Sequence, residues 1–231
     1  MDWIKVFANG RAGVLSADPN ARDLDDAELV AAVQQASALG IPVAAHAYTD
    51  DGVAAAVRAG VRTVEHGSLI TESTLMLMHE RGVCFVPTLS AFYASEAAAT
   101  NASADAKALT VRSQMMIQSS LKAIAIARQL GVRVIAGTDT GYDPDEPTVI
   151  DEIPHIADAG FIAAEALDSA TALSASCLGI EKLKGAIRPG PDADIVVYAK
   201  DPTIDLRSLQ TPLLVITRGS VYADNLGVSG H

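Results

Sequence analysis

Residues 41–67 read IPVAAHAYTDDGVAAAVRAGVRTVEHG. Two short runs rich in Val and Ala flank a stretch of small residues that ends at Gly60. A Gly after the last helical turn accepts the left-handed conformation without a Cβ clash, so Gly60 reads as a helix stop. The stretch before it predicts a helix over 50–59, and the flanking runs are short enough to predict strands. The same join recurs as ALG-IPVAAHA at Gly40, ERG-VCFVPTL at Gly82 and QLG-VRVIAGTD at Gly131. Further helices are expected at about 25–39, 71–81, 105–130 and 145–159. Trp3–Ala8 adds a fifth strand, and Asp25 and Asp26 can open the helix after it. Strands alternating with helices predict βα units, a parallel sheet and right-handed crossovers. Strands this apolar suit burial on both faces, in a barrel or a doubly wound sheet.

After residue 180 the pattern changes. KGAIRPGPDADIVVYAKDP and LLVITRGSVYAD read as strands without helices between them, a small β appendage tied on by a helix around 163–177. The acidic loop Asp143–Pro147 and the small polar segment 94–105 are the expected irregular stretches. The chain is 231 residues, 49% hydrophobic and 19% charged, which supports a sizeable core and excludes global disorder. A net charge of −11 without a Lys/Arg cluster argues against nucleic acid or an anionic membrane as partner. No apolar run reaches the roughly 18 residues of a membrane span, and MDWIKVFANG has no signal-peptide pattern. Cys84 and Cys177 form no CxxC pair, so two reduced, buried residues and a cytoplasmic setting are expected.

The polar residues of the strands fall in a pattern. Counted from each helix-stopping Gly, His46, His66 and Thr88 stand at +6 and Asp139 at +8. Even offsets put side chains on one face, and each lies at the C-terminal end of an apolar run, where α/β folds build their sites. Lys5 sits inside a fourth such strand, where a lone charge is costly to bury. Imidazole and carboxylate suit Zn, Mn, Co or Fe. Lysine ligates only as a carbamate, which could bridge two cations.

IKVFANG, HAYTDDGVAAAVRAGVRTVEHG, FVPTL and AGTDTG together resemble the amidohydrolase superfamily, in its imidazolonepropionase-like and prolidase-like branch. ALDSATALSASCLGI, GAIRPGPDADIVVYAKDP and ITRGSVY extend that resemblance over nearly the whole chain. The resemblance implies an α/β fold, a (β/α)8 TIM barrel of the metal-dependent hydrolase type. Residues 1–184 would supply strands four to eight and 185–231 part of a small β-sandwich. It also implies a divalent metal, zinc first, held by carboxylated Lys5, His46, His66 and Asp139. Asp139 would be the catalytic proton shuttle for a metal-activated water that hydrolyses a C–N bond in an amide, peptide-like or cyclic amide substrate. Tyr48, Thr88 and Tyr93 are the candidate substrate contacts.

The chain departs from that family in one respect. Its five histidines are His46, His66, His79, His155 and His231, and none forms the HxH pair of the family's first strand. The expectation is therefore the C-terminal part of a longer enzyme, holding at most one weakly bound metal. Such a chain would oligomerise through the open edges at Trp3–Ala8 and Val132–Asp139 or require the part it lacks. Two rivals are a catalytically incompetent fragment and a small-molecule binder on a flavodoxin-like sheet; the latter lacks a GxGxxG or GxxxxGK[ST] loop. The remaining candidates read as structural: His79 at a helix end, His155 on a helix beside Glu152 and Asp158, and Met115 and Met116 in the core; Phe92 suits loop packing or a cover over substrate.

Overall fold

The computed structural model describes residues 1–10, 18, 20–98, 103–140 and 146–226. Its elements run β1 (Ile4–Asn9), α1 (Asp26–Ala38), β2 (Val43–Thr49), α2 (Asp50–Ala59), β3 (Thr63–Leu69), α3 (Glu72–Arg81) and β4 (Cys84–Val86). They continue as α4 (Leu89–Ala98), α5 (Ala104–Leu130), α6 (Val149–Asp158), α7 (Ala163–Asp168) and α8 (Ala172–Leu178). The chain closes with β5 (Ile195–Tyr198), a 3-10 turn at Leu206–Gln210, β6 (Pro212–Thr217) and β7 (Ser220–Asp224).

The first four strands form a parallel sheet in the order β1-β2-β3-β4. The helix stops work as the spacing predicts: Gly60 caps α2 at φ 97° and Gly131 caps α5 at φ 72°. Asp25 closes a capping box with Glu28 that starts α1. Leu29, Val57, Leu75, Met78, Phe85, Ile124 and Ile156 are fully buried between the sheet and its helices. Ala45 and Val64 belong to that core. Lys5, Ala44, Thr63 and Glu65 instead line a cavity of about 400 Å³ with Trp3, Val86 and Ile135. Helices pack against one face, and on the other the cavity is closed at one end by Ser174 and Leu178 of α8.

Three expectations are corrected. The strand over Val132–Asp139 contracts to one parallel bridge between Val134 and Phe85. Its partner β4 has only three residues, and by Ala136 the backbone N–H donates to Ser169 O instead (2.9 Å). The segment from 94 is helical as far as Ala98, as the second half of α4. The helix around 163–177 breaks into α7 and α8. At the break Ser169 O also accepts from Ser174 Oγ (2.5 Å).

The cysteines are a fourth correction. Cys84 and Cys177 are joined by a disulfide across 93 residues, and both are fully buried. The fold brings α8 beneath the start of β4, and Arg62 holds it there by donating to Cys177 O and Ser176 O (2.8 and 3.0 Å). Nothing in the spacing of the two residues shows this. Met116 is core, as expected, but Met115 is half exposed.

The last three strands form an antiparallel sheet in the order β5-β6-β7. It meets the helical layer through Tyr198, Leu206 and the buried Leu209. Among the described residues no helix is long and apolar enough to cross a membrane.

Candidate active site

His46 and His66 are the fourth residues of β2 and β3. They do not pair across the sheet: His46 stands opposite Glu65, and Ala47 stands opposite His66. Plain alternation would then send the two rings to opposite faces. The backbone resolves this, because His66 adopts φ 76° and breaks the alternation. Thr88 (φ 54°) and Asp139 (φ 55°) share that left-handed state, and Arg218 is the remaining non-Gly residue with positive φ among those described. Such torsions cost roughly 1–3 kcal/mol each and persist only where the surroundings over-determine them. Three of the four lie on residues that the sequence marks as site candidates.

The two rings meet. His66 Nε2 lies 2.8 Å from His46 Nδ1, His66 Nδ1 lies 2.7 Å from Thr88 Oγ1, and His46 Nε2 lies 2.7 Å from Gly10 O. A carbonyl only accepts, so His46 carries its proton on Nε2 and its Nδ1 is bare. His66 must then donate from Nε2, which leaves its Nδ1 to accept from the Thr88 hydroxyl. Every proton in this chain is placed with both rings neutral. Burial, then the charges of His46 and Lys5, hold His66 well below the usual histidine range. Burial lowers His46 too, against the Gly10 carbonyl bond.

Lys5 is not the buried lone charge expected from its strand. Its side chain is 40% exposed and pairs with Glu65 at 2.5 Å. Glu65 also accepts from Thr63 Oγ1 (2.6 Å). Sequence reasoning missed Glu65, although a carboxylate inside a Val-rich strand needs a partner for the same reason as Lys5. Asp139 stands at the open rim, with its surface in water. Partial withdrawal from solvent raises its carboxyl, while Lys5 and His46 pull it down. Their influence places Asp139 in the same field as the histidines.

Tyr48 backs the pair. Its ring stacks on His66 (4.5 Å between centroids, 11° between planes) and meets His46 edge-on at 4.9 Å. Burial pushes its phenol up. Phe92, which the sequence leaves between covering substrate and loop packing, stands edge-on to Tyr48 at 6.1 Å. Tyr93 goes elsewhere: its ring stacks on half-buried His155 at 4.1 Å, beside a cavity of about 340 Å³ lined by Ser90, Glu146 and Asp151. His79 is exposed and reaches Gly131 O (3.1 Å), a structural contact as expected. Most of the acidic loop Asp143–Pro147 lies outside the described residues.

Two further buried polar residues shape the site. Asn9 fills the bulge at the end of β1, accepting from Tyr48 N (3.0 Å) and donating to Thr49 Oγ1. A Cβ at Gly52 would fall 2.3 Å from Asn9 Cγ, so that helix start needs glycine. Glu152 is fully buried on α6 and accepts from Leu89 N, Ser90 N and Ser90 Oγ at the start of α4. An acid between Val149 and Ile156 on the apolar side of α6 was the sequence signal for it.

The donor chemistry suits a divalent metal, with two neutral imidazoles converging beside a carboxylate and a lysine. The set is partial: among the described residues no group of three or more His, Cys, Asp or Glu is gathered closely enough to hold one.

The sequence model of the amidohydrolase family matches residues 1–222, and the chain belongs to that family. It is 33% identical over 215 residues to ochratoxinase of Aspergillus niger, covering 92% of this chain and 44% of that protein. A crystal structure of an amidohydrolase superposes with a TM-score of 0.87 at 31% identity, covering 97% of this chain and 55% of that one. A Xaa-Pro dipeptidase with methionine bound in its active site gives 0.86 at 28% identity, covering 96% and 54%. The chain spans about half the length of the relatives it matches.

Proposed function

We propose that this chain carries half of the active centre of a metal-dependent hydrolase acting on C–N bonds, with a dipeptide-like or N-acyl amino-acid substrate. In this reading residues 1–184 are strands four to eight of a (β/α)8 barrel, and 185–231 belong to a β-sandwich. The observation that carries it is the meeting of His46 Nδ1 and His66 Nε2 at the strand ends, on a backbone held in the left-handed state at His66, Thr88 and Asp139.

His46, His66, Asp139 and a carboxylated Lys5 would hold the metal. When bound, zinc or a similar cation supplies a hydroxide near neutral pH and polarises the scissile carbonyl. Asp139 orients the attacking water, takes its proton and passes it to the leaving nitrogen. A carboxyl raised by desolvation is a better proton acceptor than a free aspartate, which suits that role. Tyr48 and Phe92 close the apolar side against water, and Tyr48 and Thr88 contact the substrate. The names of the relatives support an amide or dipeptide bond as the target.

A second reading, a catalytically incompetent piece of such an enzyme, is favoured because no three or more His, Cys, Asp or Glu among the described residues are gathered closely enough to hold a metal. On either reading the free edge of the sheet would pair with further strands or a second copy. Part of that edge is already covered, since residues 21–23 bond to Ala8 and Gly10.

Metal analysis and zinc titration of the purified chain test the proposal. The expected result is at most one weakly held ion, whose binding perturbs the rings of His46 and His66 and is abolished by His46→Ala or His66→Ala. Two tightly held ions would overturn the half-site, and binding that leaves both rings unperturbed would overturn the ligand assignment.

A further inference from the structure

Glu152 has no place in the chemistry above, yet it is a fully buried carboxylate. Burial raises it, while its hydrogen bonds to Ser90 and Leu89 act against that. Such a group is costly to keep unless its bonds are needed. Its oxygens take the first two N–H groups of α4, from Leu89 (2.9 Å) and Ser90 (2.7 Å), and the Ser90 hydroxyl as well. A negative charge there also offsets the positive end of the helix. The residue just before this start is Thr88, with φ 54° and its hydroxyl on His66 Nδ1. Its own carbonyl accepts from Ala91 N (3.3 Å). The strained residue is thus clamped on its C-terminal side by α6 and meets the histidine pair with its side chain.

We propose that Glu152 is a positioning residue for the histidine pair: by anchoring the start of α4 it holds Thr88 in the left-handed state, which sets the aim of the His66 ring. Carboxylate, helix start, hydroxyl and imidazole form one path from α6 to the face of the site. The inference rests on the metal-site reading only where it concerns metal affinity. The aim of the His66 ring is a property of the chain by itself.

The test uses the intact chain labelled with 15N-histidine. Long-range 1H–15N spectra separate protonated from bare ring nitrogens, and zinc affinity is read by competition with a chelator. The metal-free wild type is expected to show His66 protonated at Nε2; zinc at that nitrogen would move the proton to Nδ1, where Thr88 Oγ1 accepts it. Glu152→Gln and the milder Ser90→Ala are expected to shift the His66 ring signals, leave those of His79 unchanged and weaken zinc binding about tenfold, in the range found for groups that orient ligands. In a Thr88→Val background, Glu152→Gln should add less than about twofold, because both act on one path. Ile156→Val, a core change on the same helix, should leave the His66 ring signals in place. Cooperatively folded Glu152→Gln with unmoved His66 ring signals, or an effect that adds fully to that of Thr88→Val, overturns the proposal. If Glu152→Gln does not fold, Ser90→Ala decides by the same criteria. If zinc leaves both rings of the wild type unmoved, the metal reading falls, and the ring spectra still decide the role of Glu152.

Discussion

The parallel and antiparallel sheets draw on similar residues and use them differently. β2 and β3 are buried along almost their whole length, and the strained backbone at His66, Thr88 and Asp139 sits at the strand ends of this region. β5–β7 leave Val196, Val197, Val221 and Tyr222 exposed. Their one strained residue, Arg218, is half of a two-residue hairpin loop with Gly219, between the paired Thr217 and Ser220. A loop of that length favours positive φ at both central positions, so this torsion is turn chemistry. At His66 and Thr88 no turn asks for it. The same torsion therefore marks a turn in one sheet and a site in the other, and the surrounding packing tells them apart.

The strongest way to break the contrast is through the disulfide, which ties the parallel sheet to α8. Closing a loop over 93 residues of sequence separation removes unfolded-state entropy worth about 4–5 kcal/mol on the chain-entropy account. Urea unfolding with and without reductant should show a loss approaching that size. A loss under about 1 kcal/mol would mean that α8 is held by Arg62 and packing alone. The cytoplasmic expectation rested on reduced cysteines, and the disulfide removes that premise.

That bond also shows where sequence reading ends. The alternation of strand and helix, the Gly stops and the two histidines were legible because each depends on neighbours in the chain. The Cys84–Cys177 bond, the clamp of Glu152 on Ser90 and the pairing of Lys5 with Glu65 join residues 93, 62 and 60 apart. Only the folded topology closes such distances. The His46–His66 case is subtler. Counting from glycines placed the rings together, but the sheet register is displaced by one residue from that count. The left-handed φ of His66 restores the convergence, and no periodicity reports it. The strand expected at Val132–Asp139 failed for a related reason, since a strand needs a partner long enough to pair with.

A smaller effect sharpens the parallel side of the comparison. His46 and His66 are held below their ordinary 6.5 by burial. They stay neutral in the fold, while the unfolded chain takes up protons as pH falls through 6.5. Their contribution is therefore complete above 6.5 and is lost progressively below it. Between pH 7.5 and 5.5 the loss is on the order of 1 kcal/mol for fully buried His66. Glu152, raised by burial, acts with the opposite sign in a window that opens near its ordinary 4.5. The difference between wild type and His66→Gln isolates the histidine. Unfolding free energies measured across this range should diverge below pH 6.5, and parallel curves would mean that His66 takes up its proton as readily in the fold as in the unfolded chain.

The smallest expected effect belongs to the antiparallel side. Arg218 adopts φ 49° with no buried contact to compel it, and its backbone N–H donates to Asp194 Oδ1 (2.8 Å). Asn tolerates the left-handed state better than Arg, because its short side chain bonds locally. Arg218→Asn keeps the N–H and should stabilise the chain by about 0.5 kcal/mol, within the range of surface changes. A thermal melt resolves this as a rise of a degree or so for a chain of this size. Thr88→Asn makes the same local improvement in the other sheet and should nonetheless destabilise, because it takes away the hydroxyl packed against His66. If both substitutions moved stability the same way, the torsion at Thr88 would be ordinary turn chemistry, and the distinction between the two sheets would collapse.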